Sequence, residues 1–238
     1  HEPIQLPSGL VLEASLSLPQ TAGSNNSTSA TSQKLAVCLH PWSWLGGRMD
    51  DGVLEAVSRP LRERGYYVLR YNSRGVGKSS GWPSLTGTQE GKDLQEVVQW
   101  ALGRIPDVQQ VVILGYSHGA LIASLFPLLP EPIRVSHILL SYPLGPRSWL
   151  TAFCGRTYTT ALNSLLHDPR SNVLVIYGDC DEFTSEGRYD AWASDLRKEI
   201  SGGRHGTLHI EKIVTANHFW VDYEARNSLL TTVRNWVP

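Results

Sequence analysis

The sequence has few cysteines, and they do not form a recognisable framework. Its 238 residues include three cysteines, Cys38, Cys154 and Cys180. They are widely spaced and cannot all pair with one another, so a disulfide framework is not expected, and no C-x-x-C zinc motif is present. This usage favours a reducing compartment, and we expect a cytoplasmic location. The first residue is His1 rather than methionine, which is compatible with a longer precursor.

The sequence also lacks a strong excess of charge and any long apolar run. Its formal net charge is -1, whereas nucleic-acid-binding proteins usually carry a basic excess, so no nucleic-acid partner is expected. The longest apolar stretch, residues 119–130, is too short to cross a bilayer, and no signal segment opens the chain. We therefore expect no integral membrane segment. These totals leave the oligomeric state open.

Short apolar runs alternate with amphipathic patterns along the chain. Such alternation is typical of βαβ units, in which a mostly parallel sheet is covered by helices on both faces. We expect one α/β domain over residues 1–238, with a flexible polar loop at about 21–33 and minimal or no lid. The expected strands are 3–6, 10–18, 35–39, 66–71, 111–114, 135–140, 173–177 and 208–214. The expected helices are 51–64, 89–103, 118–129, 185–199 and 222–236.

A G-x-S-x-G motif centred on Ser117 lies between an apolar strand and an apolar helix. A sharp strand-to-helix turn would lift the serine oxygen above the sheet edge, and Gly115 and Gly119 remove the Cβ atoms that would collide there. The helix also directs its positive N-terminal end at the reaction centre. This context predicts that Ser117 is a nucleophile.

A serine nucleophile needs a base, and His218 is in the best position among the eight histidines. It lies on the loop between the last strand and the last helix, at the same sheet edge as Ser117. His40 ends a strand, His118 lies within the turn, and His137 lies inside an apolar run that favours a core position. We therefore predict His218 as the base.

The acid that orients the base is expected after the strand at 173–177. Two aspartates follow that strand, and Asp181 is preferred over Asp179, which stays an alternative because loop geometry cannot be read from sequence. Cys180, between them, is expected to be a buried neighbour rather than a nucleophile. No metal or organic cofactor is required by this set of residues.

Backbone N–H groups are needed to stabilise the oxyanion. One is expected from His118, directly after the nucleophile. The other is expected from the loop after the strand at 35–39, where Pro41 has no N–H, so that Trp42 is the predicted donor and Ser43 the next.

A second motif, residues 72–79, nearly matches the nucleotide-binding P-loop. Asn72 replaces the first glycine, and the residues after Ser79 do not begin a helix. Without a helix N-terminus the phosphate cradle is lost, so nucleotide hydrolysis is not favoured.

Taken together, these residues resemble the α/β-hydrolase superfamily, and most of all its small, lidless dienelactone-hydrolase-like and acyl-peptidase-like serine hydrolases. The likeness covers about residues 35–238. It implies the α/β-hydrolase fold, and the Arg-Gly-x-Gly stretch that begins at Arg74 looks like a structural turn. The dienelactone hydrolases proper use a cysteine nucleophile, so Ser117 puts their substrate in doubt. Four stretches carry the likeness: residues 40–49, 71–79, 115–119, and 178–181 with 218–219.

Several aromatic residues lie on predicted edge loops and are candidates for an apolar substrate pocket, although ordinary packing explains them equally well. The candidates are Trp42, Trp44, Trp82, Trp149, Phe219 and Trp220.

The sequence predicts a serine hydrolase that cleaves an ester or thioester of a small or medium acyl group, in the class of carboxylesterases and thioesterases. The expected partner is a small-molecule substrate. Two alternatives stay open. One is a biosynthetic acyl transfer, cyclisation or C–C bond hydrolysis with the same residues, and the other is a ligand-binding protein on a hydrolase scaffold.

Overall fold

The computed structural model describes residues 1–20, 32–144, 155–203 and 205–238. Eight of its strands form one sheet, in the order β1-β2-β4-β3-β5-β6-β7-β8. β3 to β8 run parallel, and β1 and β2 join one edge in antiparallel pairing. The strands are β1 Glu2–Gln5, β2 Val11–Ser17, β3 Gln33–Leu39, β4 Tyr66–Tyr71, β5 Val108–Tyr116, β6 Arg134–Leu140, β7 Asn172–Gly178 and β8 Thr207–Ile213.

Six α-helices of the described residues cover this sheet. Helices α2 to α5 contribute to the apolar cluster on one face, and α1 and α6 contribute to the cluster on the other. The predicted fold class, a mostly parallel sheet between two helical layers, is confirmed. The helices are α1 Gly52–Glu63, α2 Thr88–Leu102, α3 His118–Ser124, α4 Gly155–His167, α5 Glu186–Glu199 and α6 Tyr223–Trp236.

The central strand β5 shows why the apolar runs are continuous. Successive side chains of a strand point to opposite faces, so Val111 and Ile113 enter one apolar cluster while Val112 and Leu114 enter the other. All four are buried because helices cover both faces of the sheet. Gly115, near the end of this strand, is therefore held from both sides.

Several element boundaries differ from the expected ones, among them the end of α3 and the start of β3. Helix α3 ends at Ser124 and not near residue 129, because Pro127 disfavours helical backbone at Phe126 and cannot continue the hydrogen-bond ladder. Gln33, expected in the polar loop, begins β3, where its N–H donates to the Asp107 carbonyl at 3.0 Å. The other loop residues at 21–31 lie outside the described residues, and the single-domain organisation stays a prediction.

Helix α4 was not expected from the sequence, although its apolar spacing is helical. Tyr158, Leu162, Leu165 and Leu166 are buried on one side of it, at spacings of four, seven and eight residues. The Tyr158 hydroxyl donates to the Thr86 carbonyl at 2.7 Å, which ties α4 to the segment before α2. This helix therefore belongs to the apolar cluster on the face of the sheet that α2, α3 and α5 also cover. Within the described ranges, no helix is both long and apolar enough to span a membrane.

The near-P-loop segment forms a turn that is only partly buried. The Asn72 amide accepts the Met49 N–H at 2.9 Å and donates to Glu13 at 2.9 Å. Glu13 also accepts the Lys78 N–H at 3.0 Å. No helix begins there, because α2 starts only at Thr88. The segment therefore lacks the helix N-terminus of a phosphate cradle, and it is a structural turn.

The N-terminus of α1 offers a stability test. The Asp51 carboxylate accepts the N–H groups of Val53 at 2.8 Å and Leu54 at 3.4 Å. We expect Asp51→Ala to lower the free energy of unfolding by about 1 kcal/mol, because a helix N-cap is lost. Urea denaturation measures this change. The exposed neighbour gives the control: Asp50→Ala should change stability by less than about 0.5 kcal/mol, and equal losses in both variants would contradict the capping role.

Candidate active site

Loops that follow the carboxyl ends of four parallel strands meet at one edge of the sheet. The segment with Trp42 follows β3, Ser117 follows β5, Asp181 follows β7, and His218 follows β8. In open α/β sheets this edge is where ligand-binding residues gather, because the chain leaves every parallel strand on the same side. The fold thus brings together residues that are far apart in the sequence.

The backbone at Ser117 is held in a strained conformation. Its φ of 55° and ψ of -119° lie in a region that favours glycine. A Cβ on Gly115 would lie 2.2 Å from the Gly119 carbonyl oxygen, and a Cβ on Gly119 would lie 2.5 Å from that of Leu39. The turn therefore requires glycine on both sides of the serine, and it presents the hydroxyl at the start of α3.

Ser117, His218 and Asp181 form a continuous chain of hydrogen bonds. The Ser117 Oγ lies 2.9 Å from His218 Nε2, and His218 Nδ1 lies 2.7 Å from Asp181 Oδ2. All three residues are buried. A carboxylate acceptor fixes the imidazole proton on Nδ1, which leaves Nε2 as the acceptor for the serine hydroxyl. This arrangement can move a proton from the hydroxyl to the imidazole.

The Asp181 carboxylate is stabilised by several donors besides His218. Its Oδ1 accepts the backbone N–H groups of Phe183 at 2.8 Å and Thr184 at 2.9 Å. The Tyr189 hydroxyl donates to Oδ2 at 3.3 Å. A buried charge is costly unless it is paired and hydrogen-bonded. These donors offset that cost and hold the carboxylate plane against the imidazole.

Asp179, the alternative acid, is directed elsewhere. It is hydrogen-bonded to the Cys180 thiol, and this contact is the main cause of the raised pKa of Cys180. Cys180 is exposed, which corrects the expectation of a buried neighbour, because its backbone N–H is tied to the Ala216 carbonyl and its side chain lies on the outside. The thiol is not activated as a nucleophile, and the geometry selects Asp181 to contact His218.

The backbone of His218 is held on both sides by residues that the sequence did not single out. Its N–H donates to Glu182 Oε2 at 2.8 Å, and its carbonyl accepts the Tyr116 hydroxyl at 2.7 Å. The other Glu182 oxygen accepts the Asn217 amide at 3.0 Å. Glu182 is adjacent to Asp181 and could have been suspected for that reason, whereas nothing in the sequence pattern pointed to Tyr116.

The two candidate oxyanion donors lie next to one cavity. His118 is the first residue of α3, so its N–H has no acceptor within the helix. Trp42 follows β3, whose end packs against the start of α3 through the close approach at Gly119. Both residues line a cavity of about 240 Å³. The backbone amides predicted from the sequence therefore belong to segments that meet beside Ser117.

The aromatic residues that were candidates for a substrate pocket lie in different places, and not all of them line the cavity. Trp44 lines the cavity and stacks on Trp42, with ring centroids 5.8 Å apart. Trp82 is 84% exposed and does not line it. Phe219 instead contacts the His218 ring edge-on, at a centroid distance of 5.6 Å. Trp149 lies outside the described residues.

Trp220 is a core residue and not a pocket residue. It is completely buried, and its indole N–H donates to the Ser141 hydroxyl at 3.1 Å. The turn that places His218 at the site directs the Trp220 side chain inward. In this turn the backbone N–H of Trp220 donates to the Asn217 carbonyl at 3.2 Å. The interpretation of Trp220 as a pocket candidate is therefore wrong, because its indole fills the core below the loop.

Two other histidines are fixed in structural positions. His40 Nδ1 lies 2.6 Å from the Pro41 carbonyl oxygen, and its Nε2 accepts the Ser73 N–H at 3.0 Å. Burial lowers the pKa of His40 to about 4, so its ring is neutral at pH 7 and bridges two loops. His137 is fully buried as expected, with Nε2 3.0 Å from the Phe126 carbonyl oxygen. Across the described ranges, no cluster of three or more His, Cys, Asp or Glu side chains could hold a metal ion.

Comparison with known proteins gives the same fold. A sequence model of the α/β hydrolase fold matches residues 45–152. An uncharacterised protein of Schizosaccharomyces pombe is 27% identical over 214 residues, which cover 87% of each chain.

Solved structures are similar over almost the whole chain. An α/β serine hydrolase without a lid from Xanthomonas campestris has a TM-score of 0.68 and 26% identity, covering 100% of this chain and 94% of that one. An esterase from Pyrococcus furiosus has a TM-score of 0.67 and 19% identity, covering 100% and 92%. The predicted α/β-hydrolase fold and the resemblance to the lidless serine hydrolases are confirmed.

The strain at Ser117 can be measured directly. We expect Ser117→Gly to have a free energy of unfolding about 1 kcal/mol higher than that of Ser117→Ala. Glycine relieves backbone strain of about 1–3 kcal/mol, which exceeds its own entropic cost of roughly 0.5–1 kcal/mol. Both variants lack the hydroxyl, so denaturant unfolding of the pair isolates the backbone contribution. A less stable glycine variant would show that the turn is not strained.

Proposed function

Because this chain has the α/β-hydrolase fold and is similar to the small, lidless serine hydrolases of that superfamily, we propose that it is a serine hydrolase acting on esters or thioesters. The substrate would carry a small or medium acyl group, as for carboxylesterases and thioesterases. The observation that carries the proposal is the 2.9 Å contact between Ser117 Oγ and a histidine whose other nitrogen is held by a buried carboxylate.

In the first half-reaction, Ser117 Oγ attacks the carbonyl carbon of the substrate while His218 Nε2 accepts the hydroxyl proton. Asp181 stabilises the imidazolium that forms, and the N–H groups of Trp42 and His118 stabilise the oxyanion. The carbon–oxygen or carbon–sulfur bond then breaks, and His218 donates the proton to the departing alcohol or thiol. The product of this step is an acyl-enzyme.

In the second half-reaction, water replaces the alcohol. The water oxygen attacks the acyl-enzyme carbonyl while His218 accepts a proton from that water. His218 then donates the proton to Ser117 Oγ when the acid leaves. No redox change or added reagent is needed. The esterase from Pyrococcus furiosus, which has a similar fold, supports an ester as the substrate class. Transfer of the acyl group to another nucleophile, cyclisation or C–C bond hydrolysis would use the same residues.

Covalent labelling tests the nucleophile. A fluorophosphonate probe reacts with an activated serine hydroxyl, so we expect stoichiometric labelling of the wild-type chain at Ser117, located by peptide mass spectrometry. The control is Ser117→Ala, which should not be labelled although it remains folded by circular dichroism. Labelling that persists in this variant would overturn the assignment of the nucleophile. Absence of labelling in the wild type would favour a ligand-binding protein.

The two neighbouring aspartates give a matched pair for the orienting acid. We expect Asp181→Asn to lower kcat for 4-nitrophenyl acetate by about 10⁴-fold, because an amide no longer holds the reactive tautomer of His218. Asp179→Asn should stay within about threefold of wild type, since Asp179 contacts Cys180 and not His218. Initial-rate kinetics measures both variants, and the opposite ranking would assign the acid to Asp179.

A further inference from the structure

The cavity lined by Trp42 and by His118, the residue that follows Ser117, has an apolar wall. The parallel indoles of Trp42 and Trp44, with planes 1° apart, form one side of it, and Val76, Pro83 and Leu85 contribute further apolar surface. Its volume of about 240 Å³ is below the range of roughly 300–1,000 Å³ for ligand pockets. A cavity of this size and shape fits one ring better than a long acyl chain.

Most charges around the cavity are compensated within the protein. Arg74 pairs with Asp93 through two hydrogen bonds, at 2.5 and 2.7 Å. Glu90 accepts the N–H of Ser84 at 2.7 Å and also its hydroxyl. Counting these three charged groups leaves a net negative charge, carried by Glu90. An acyl group with its own carboxylate would therefore meet repulsion and find no free cation among these groups.

The two histidines that line the cavity add no positive charge at neutral pH. Burial lowers the pKa of both His40 and His118 to about 4. Their rings are therefore neutral and polar, and they do not compensate for Glu90. The cavity suits a neutral acyl group.

The position of His218 indicates which part of an ester would enter the cavity. His218 must deliver a proton to the leaving oxygen, so the leaving group has to lie on the His218 side. There the rings of Phe183 and Phe219 contact the imidazole edge-on, at 4.6 and 5.6 Å between centroids. The cavity lies instead with Trp42 and His118, on the side of the predicted oxyanion donors.

We propose that this cavity is the acyl subsite, that it selects a neutral aromatic acyl group, and that the leaving alcohol lies against Phe183 and Phe219. This inference rests on the proposed function, since it assigns the acyl group and the leaving group of one ester to different sides of the Ser117 site. It names an arylacyl ester, such as a benzoate ester, as the preferred substrate class.

Three 4-nitrophenyl esters test the acyl side. The wild type should hydrolyse the benzoate with a kcat/KM at least tenfold above that of the 4-carboxybenzoate, because the added carboxylate faces Glu90. Trp44→Ala should lower the ratio of kcat/KM for benzoate over acetate by about fivefold to tenfold, through loss of aromatic contact. The matched control is Trp82→Ala, which removes another exposed indole outside the cavity and should leave that ratio unchanged.

The leaving-group side is tested with phenyl acetate and methyl acetate. Phe219→Ala should lower the ratio of kcat/KM for the phenyl over the methyl ester by about fivefold and leave the benzoate-to-acetate ratio unchanged. Val221→Ala, an exposed apolar change on the same loop, is the control.

The outcomes separate the two proposals. A wild-type chain that is not labelled by fluorophosphonate would refute the proposed function itself. A chain that is labelled at Ser117 but does not prefer benzoate over its carboxylated analogue would refute only the acyl subsite. If Trp44→Ala changed the leaving-group ratio and Phe219→Ala changed the acyl ratio, the orientation of the ester would be reversed.

Discussion

The close contact between the start of α3 and the end of β3 is the constraint on which the site depends. A Cβ at Gly119 would overlap the Leu39 carbonyl oxygen, so only glycine allows the helix to begin there. This contact holds Ser117 in its strained conformation, and it also brings the loop that carries Trp42 next to His118. A single backbone approach thus positions Ser117, the proposed nucleophile, and both candidate oxyanion amides. The apolar clusters on both sides of β5 keep that approach rigid.

Hydrogen bonds hold His218 in the site, on a loop whose backbone also has positive φ at Thr215 and Trp220. Glu182 fixes the His218 N–H, Tyr116 fixes its carbonyl, and Asp181 fixes its ring. A base must rotate little while it exchanges protons with two different partners, and these three contacts limit both the loop and the ring. Trp220, on the same loop, is buried and anchors the loop to the core. Hydrogen bonds and packing together thus hold the loop that carries His218.

The sequence predicts the sheet, and it singles out the three side chains that the structure brings into contact, because each has a local signature. Apolar runs of buried strands, the glycines around Ser117, and loop positions after β7 and β8 can be read from the order of residues. The choice between Asp179 and Asp181 could not be settled from that order. Adjacent loop positions differ only in where the backbone directs them, and here the N–H groups of Phe183 and Thr184 turn Asp181 inward.

Residues that act through long-range contacts were harder to predict. Tyr116 reaches His218 across 102 positions of the chain, and its location in an apolar strand suggests only packing. Trp220 and Trp82 both lie in aromatic loop segments, yet one is buried in the core and the other is solvent-exposed. The sequence shows that a residue is aromatic, whereas the tertiary structure determines whether its side chain is buried or exposed.

Many polar groups of the site and of the neighbouring cavity are already hydrogen-bonded within the protein, and this bears on substrate recognition. Several of them, among them Asp181, Arg74 and Glu90, are hydrogen-bonded to other protein groups. A ligand cannot gain much from a group that is already satisfied, since the existing hydrogen bonds would have to be broken first. In the proposed acyl subsite, recognition then depends on the apolar indole surface and on the neutral His118 ring. We expect such a subsite to distinguish substrates by shape and by absence of charge more than by ion pairing.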